Sequence, residues 1–469
     1  MLMLKKQVVL LLHDKNWRHS LPIAAMVAVL WAAPVASQET QLNAGQVQQI
    51  AIAALRGGDP VIAAQAADAL IERDATNAGA LLLRTEAALM ARDYINAVTF
   101  GRRAYWNAST SNQRFSASRL VAWAHAQQDN DTWSQVWLRL ARQDAPNDDA
   151  REAVAKDYRF LRRRNPLSVN LRFGIAPSSN VNNGSSSETT DLFDLGLPFV
   201  LNGNARALSG WEASSSANLS YRAHTNETSA TFLNLGFSGM TYFLTESAQR
   251  QAEDGVDGSD FSSATLNLGA THRFLLAPGL QPTSATLSFG QSWYGGDANA
   301  RFVTASADHS WKVSEADTLL LSGFAQRQTS LDGGDPIMTY NLQTVWARDL
   351  ADYGDVGFIL AARDSQSDTA DSDYDSVRYG VNYGFPEPIF GIQLGATVSY
   401  EKRDFAQSRF SALGRDETIT SASLRAVFTN IEFLGFQPVI NIEKTVQESS
   451  IDLFDRDFVN IGFDISSSF

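Results

Sequence analysis

Histidine is the side chain best suited to metal or proton chemistry near neutral pH, and this 469-residue sequence holds six, at positions 13, 19, 125, 224, 272 and 309. None falls in an HExxH or other paired metal-ligand spacing. No motif sets a serine nucleophile and a third orienting group against His272 or His309. Cysteine is absent, which removes thiolate metal sites, disulfides and a lipid-modified cysteine. Gly295-Gly296-Asp297 and Gly333-Gly334-Asp335 lack the trailing Gly-Lys-Ser/Thr of a phosphate-binding loop and read as hairpin turns. The aspartates of residues 364–375 miss the spacing of an EF-hand and read as a solvated loop. The expectation is a protein that is not an enzyme, with no catalytic, cofactor-binding or metal-ligating residues to assign.

The charged residues that keep a claim on function are Arg172, Arg273, Arg425, Glu443 and Asp464, because each lies on the polar row of a segment that alternates polar and apolar. The final segment shows the pattern best. Val459, Ile461, Phe463, Ile465 and Phe469 share one face, and Asn460, Gly462, Asp464, Ser466 and Ser468 share the other. Similar rows occur at Val169/Leu171/Phe173/Ile175, Thr231/Leu233/Leu235/Phe237, Ile392/Leu394/Ala396/Val398 and Ala422/Leu424/Ala426/Phe428. Long acidic connections, residues 403–417 among them, alternate as extracellular loops with short periplasmic turns, and the segments number about 14, an even count as a closed transmembrane antiparallel β-barrel of bacteria requires. In that barrel the five charged residues face the lumen, where they line an aqueous path or form ion pairs. Phe463, Ile465 and the terminal aromatic Phe469 form the C-terminal signal that such barrels present to barrel-assembly machinery.

Residues 41–165 have a different texture, rich in Ala, Leu, Arg and Glu at three- and four-residue spacings. Asp59–Asn77 overlays Asp93–Thr110 at an offset of 34, the tetratricopeptide period, and a looser copy begins at Asp131. Ala63, Ala67 and Leu70 then correspond to Ala97, Gly101 and Ala104, small residues that let neighbouring helices approach. This predicts an all-α, tetratricopeptide-like solenoid, with Trp123, Trp133 and Trp137 as core fillers. Arg162-Arg163-Arg164 closes the helical half where a periplasmic domain meets lipid headgroups.

Residues 1–37 read as a signal peptide: Lys5, Lys6, Lys15 and Arg18, the apolar run Leu21–Trp31, and small residues up to a cleavage point near Ala36 or Ser37. No later apolar stretch is long enough to cross a bilayer as a helix, so membrane crossing falls to residues 167–469 as a barrel. The net charge is −13, and residues 168–469 carry 18 Lys+Arg against 36 Asp+Glu. An acidic surface of this kind argues against a general nucleic-acid partner, because phosphate binding depends on clustered Lys and Arg.

Two short motifs add a resemblance. Ala176-Pro177-Ser178-Ser179-Asn180-Val181-Asn182-Asn183 and Arg456-Asp457-Phe458-Val459-Asn460-Ile461-Gly462-Phe463, taken with the order and length of the two halves, resemble the surface lipoprotein assembly modulator (Slam) family. The resemblance implies an outer-membrane translocation factor that delivers lipoproteins or secreted binding proteins from periplasm to cell surface, its helical domain receiving the client. Its further partners would be outer-membrane lipid and lipopolysaccharide, and it carries over no active-site residues and no cofactor. The sequence leaves open an outer-membrane porin, or an exopolysaccharide export channel with a periplasmic repeat domain.

Overall fold

A computed structural model describes residues 42–467 except 194 and 412. The expected signal peptide and Phe469 lie outside the described residues. The described chain begins at the entry to helix α1 (Ala44–Gly57), where Asn43 and Gln46 cap each other through hydrogen bonds of 2.9 and 3.0 Å.

Helices α2 (Pro60–Arg73), α3 (Ala78–Met90), α4 (Tyr94–Asn107), α5 (Ser111–Gln127), α6 (Asp131–Gln143) and α7 (Asp148–Arg164) follow, each packed on the next. Their starts are written in the sequence. Asp59 accepts from the amides of Val61 and Ile62 at 3.0 Å with Pro60 in the first turn, and Asp93 and Asn147 cap α4 and α7 in the same way. Such a cap contributes about 1 kcal/mol. The small residues of the 34-residue offset are buried between helices: Ala63, Ala67, Ala97 and Ala104 are fully enclosed. A methyl at Gly101 would stand 2.5 Å from Val121 Cγ2, so this position takes glycine because α5 lies against it. Trp137 sits in the α5–α6–α7 core, and Trp123 packs half-buried on the α3–α5 cluster. Trp133 does not fill a core, being 55% exposed on α6; its neighbours Asp131 and Ser134 face inward instead.

The chain then enters a closed antiparallel barrel of 14 strands. They are β1 (Leu167–Ser178), β4 (Gly210–Thr225), β5 (Ser229–Leu244), β6 (Ser263–Phe274), β7 (Thr283–Tyr294), β8 (Asp297–Lys312), β9 (Asp317–Ser330), β10 (Ile337–Asp349), β11 (Asp355–Gln366), β12 (Tyr374–Gly384), β13 (Ile392–Phe405), β14 (Arg415–Phe428), β15 (Phe436–Ser449) and β16 (Arg456–Ser467). A separate small hairpin, β2 (Thr189–Asp191) and β3 (Pro198–Val200), lies in the connection between β1 and β4. Consecutive strands are neighbours, and β1 meets β16 to close the wall. Turns at residues 226–228, 313–316, 385–391 and 429–435 lie at the end where the helices enter; residues 179–209, 245–262, 367–373, 406–414 and 450–455 connect strands at the far end. Gly295 and Gly296 make the two-residue turn from β7 to β8 with φ of 57° and 90°, a conformation that favours glycine.

The strands obey one rule of alternation. Leu171, Phe173 and Ile175 of β1 are 50–58% exposed on the outer wall. Large apolar side chains on a free surface are the mark of a wall that faces hydrocarbon, and closure brings the first strand against the last. Pairing is continuous at most joints, covering all twelve residues of β1 against β4. The β1–β16 joint differs: among the described residues only Ile175↔Phe463 and Ser178↔Asn460 are paired there.

Candidate functional site

The register decides which side chains share the inner face. Arg172 stands opposite Ser216, Ser216 opposite Ser238, and Ser238 opposite Thr265, which puts Arg273 on the same face as Arg172. On the other side of the closure, Gly174 lies beside Asp464, whose Oδ1 would be 3.0 Å from an added methyl. Arg425 pairs with Asn441 and Glu443 with Asn460 in the same inner row. All five charged candidates therefore lie opposite the apolar outer rows, in the lumen. Phe463 and Ile465 belong to the outer row, opposite Ile440 and Pro438.

These residues are not one cluster. Asn441 donates to Asp464 Oδ2 at 2.6 Å and accepts from Arg425 Nη1 at 3.4 Å, linking β14, β15 and β16. Glu443 accepts from Thr445 at 3.4 Å. Arg273 sits apart on β6, its guanidinium 5.0 Å from the Phe232 ring. A polar cavity of about 200 Å³ opens on the inner wall across β4, β1, β16 and β15, lined by Gly174, Glu212, Asn441, Glu443, Asn460 and Asp464.

The densest charge cluster in the lumen draws most of its members from stretches expected to be loops. Residues 403–417 were expected to be an extracellular connection, yet β13 continues to Phe405 and β14 begins at Arg415, so their charges sit in the wall. Glu401 accepts from Arg378 at 2.5 and 2.8 Å and from Arg403 at 2.7 Å. Arg415 Nε stands 2.9 Å from Glu417 Oε1, and its Nη1 donates to Asp371 Oδ1 at 2.9 Å. Its guanidinium lies 3.8 Å from the Phe405 ring and 3.7 Å from the Phe454 ring. The side chains of Glu401, Arg415 and Glu417 are at most 5% exposed. Asp371 comes from the stretch read as a solvated loop, and it is held instead by Arg415 and by Arg409 at 2.6 Å. The readable signal was opposite charge at i and i+2, Glu401/Arg403 and Arg415/Glu417, which alternation puts on one face of a strand.

The first far-end connection folds onto this cluster. Phe193, between β2 and β3, donates its amide to the Phe410 carbonyl at 2.6 Å, and Phe410 leads on to Phe454 at a ring separation of 5.9 Å. Ser185 Oγ donates to the Asp452 carbonyl at 2.6 Å, the Ser186 amide to the Asp455 carbonyl at 2.9 Å, and the Leu453 amide to Thr190 Oγ1 at 3.1 Å. The segment that follows β1 is thus clasped to the segment that precedes β16.

At the opposite end α6 docks on the β14–β15 turn. Arg142 makes a two-pronged contact with Glu432, at 2.5 and 2.7 Å, and Arg139 donates to the carbonyls of Leu434 and Gly435 at 3.2 Å while lying 4.3 Å over the Phe436 ring. Gln143 accepts from the Leu434 amide at 2.9 Å. Arg222 of β4 reaches the carbonyls of Arg163 and Arg164 at 2.9 Å. The basic run 162–164 is therefore partly a joint. Arg164 is paired with Asp131, while the side chains of Arg162 and Arg163 point to solvent.

Comparison with known proteins meets this geometry at one place. Residues 308–469 match the model of the surface lipoprotein assembly modifier family. The resemblance drawn from the sequence is upheld over those residues, which contain the lumen charge cluster, the turn that receives α6, and β16. The motif at residues 176–183 lies outside them. No curated protein matches the chain. Among solved structures the chain is similar to OccAB4 of Acinetobacter baumannii (10% identity, 64% of this chain, 97% of that one, TM-score 0.32). It is also similar to OpdK of Pseudomonas aeruginosa (10%, 64%, 98%, 0.31) and to a BenF-like porin of Pseudomonas fluorescens (9%, 64%, 98%, 0.34). Likenesses that low carry no argument. The protein is an outer-membrane barrel with its helical domain at the periplasmic end, which makes the far end the cell-surface end.

Proposed function

We propose that the protein is an outer-membrane translocation factor that delivers lipoproteins or secreted binding proteins from the periplasm to the cell surface. The observation that carries this is the family match over residues 308–469, because that stretch includes both the lumen cluster and the surface on which the helical domain docks. Helices stacked in series give an extended surface for a client, and Arg139 and Arg142 hold that stack beneath the barrel. The role needs no catalysis. His272 and His309 lie on outward rows with Nδ1 hydrogen-bonded to Thr231 and Thr283, at 3.0 and 2.8 Å, and among the described residues neither is set between a nucleophile and a carboxylate. Insertion would follow from recognition of Phe463, Ile465 and Phe469 by the assembly machinery.

The test is protease accessibility on intact cells with and without the gene. Loss of specific lipoproteins or binding proteins from the surface, at normal periplasmic levels, is the expected result. Unchanged display together with lost solute uptake or lost glycan would overturn it in favour of a porin or an exopolysaccharide export channel.

A further inference from the structure

We propose that the β1–β16 joint is a lateral opening through which an acyl-anchored polypeptide passes from the lumen into the membrane; this rests on the export reading above. Among the described residues the joint is paired at two positions, whereas β1 pairs with β4 along its whole length. Between those two positions stand Pro177 on β1, which has no amide hydrogen to give, and Gly462 on β16, while Gly174 adjoins the Ile175 position. In a hydrocarbon setting, poorly paired backbone marks the place where a wall parts most readily.

The two sides of the joint differ in the way an amphipathic cargo requires. Outside stand Ile175 and Phe463, 57% and 50% exposed toward lipid. Inside lies the 200 Å³ polar cavity with the carboxylates of Glu212, Glu443 and Asp464, none of which pairs with a cation among the described residues. Acyl chains would leave through the apolar side while the polypeptide stays against the polar one. Hydrogen bonds at the surface rim hold the joint shut. Arg456 Nε donates to Asn183 Oδ1 at 3.2 Å, the Val459 amide to Ser179 Oγ at 3.1 Å, and residues 185–187 clasp 452–455. A side-chain hydroxyl thus stands in at Val459 for a backbone acceptor.

The chain has no cysteine, so a disulfide lock is clean. Ile175→Cys with Phe463→Cys, or Ser178→Cys with Asn460→Cys, would lock the joint; Ser216→Cys with Ser238→Cys would lock the continuous β4–β5 joint as a control. The probe is the set of lipoproteins that lose trypsin accessibility on intact cells when the gene is deleted. Either joint lock should lower their display about tenfold, a reductant should restore it, and the control lock should leave it unchanged, since β4–β5 is not the place of opening. Normal display with the joint oxidised overturns the proposal. If deletion itself changes no display, the export reading fails, and the joint is judged by hydrogen exchange in nanodiscs. Exchange in 167–178 and 456–467 about tenfold faster than across β4–β5 supports a parting wall, and equal protection overturns it.

Discussion

Arg415 shows what a single buried charge commits its neighbours to. It is enclosed by two aromatic rings and balanced by Asp371 and Glu417, so removing it leaves two carboxylates in a place built for a cation. Arg415→Ala should destabilise the barrel by about 3 to 5 kcal/mol, read as a shift in urea unfolding in nanodiscs. Arg415→Met with Asp371→Asn and Glu417→Gln should recover most of that, because the cost lies in the uncompensated charge rather than in lost attraction. Recovery failing would mean that the guanidinium's packing between Phe405 and Phe454 dominates. Gly101 poses the opposite problem, since what matters is the atom it lacks. Gly101→Ala should lower the thermal stability of the helical domain by about 1 to 3 kcal/mol through overpacking on Val121, and Val121→Ala in the same chain should relieve part of it. The repeat offset had marked position 101 as small, so this residue was legible before its neighbour was known.

At the scale of elements, α6 couples the two halves through one side-chain pair and a turn. Arg142→Glu should free the β14–β15 turn and speed limited proteolysis near residues 165–167, and adding Glu432→Arg should slow it again, because the pair is two-pronged and partly buried. Equal cleavage in all variants would assign the docking to Arg139 and Phe436 instead. Helix α7 offers a pH test. Burial raises the Asp157 carboxyl above its usual range, only partly opposed by Arg119 at 3.9 Å. An acid whose folded value is raised favours the fold when protonated, so its contribution is present at low pH and lost as pH rises through the folded value. Asp157→Asn should therefore raise the melting temperature at pH 7 and change little at pH 3, and an equal gain at both would remove the ionisation argument. Alternation revealed the strands because outward and inward positions face different solvents. It placed the end of β13 and the start of β14 wrongly because charged residues there were taken for solvent-facing, when they neutralise one another inside the wall.

The whole molecule depends on connections that no local pattern contains. The five lumen residues could be read from parity alone, since a fixed period of two carries the inner face from strand to strand. The β2–β3 hairpin could not, because Thr190, Phe193, Phe410 and Leu453 are brought together by the closure of β1 on β16 rather than by spacing in the chain. For the same reason the sparse joint left only Pro177 as a trace in sequence. That arrangement makes a prediction about the assembled barrel. Replacing residues 188–201 by a short Gly-Ser linker removes the bonds of Phe193 to Phe410 and of Thr190 to Leu453 while leaving every paired strand of the wall intact. The barrel should still show heat-modifiable migration on gels, because wall pairing and not the hairpin holds it closed. Its single-channel conductance should rise, because the hairpin runs from the rim at β1 to the loop between β13 and β14. Unchanged conductance in a folded barrel would mean that the hairpin rests on the rim, and that the route for cargo is set by the wall itself.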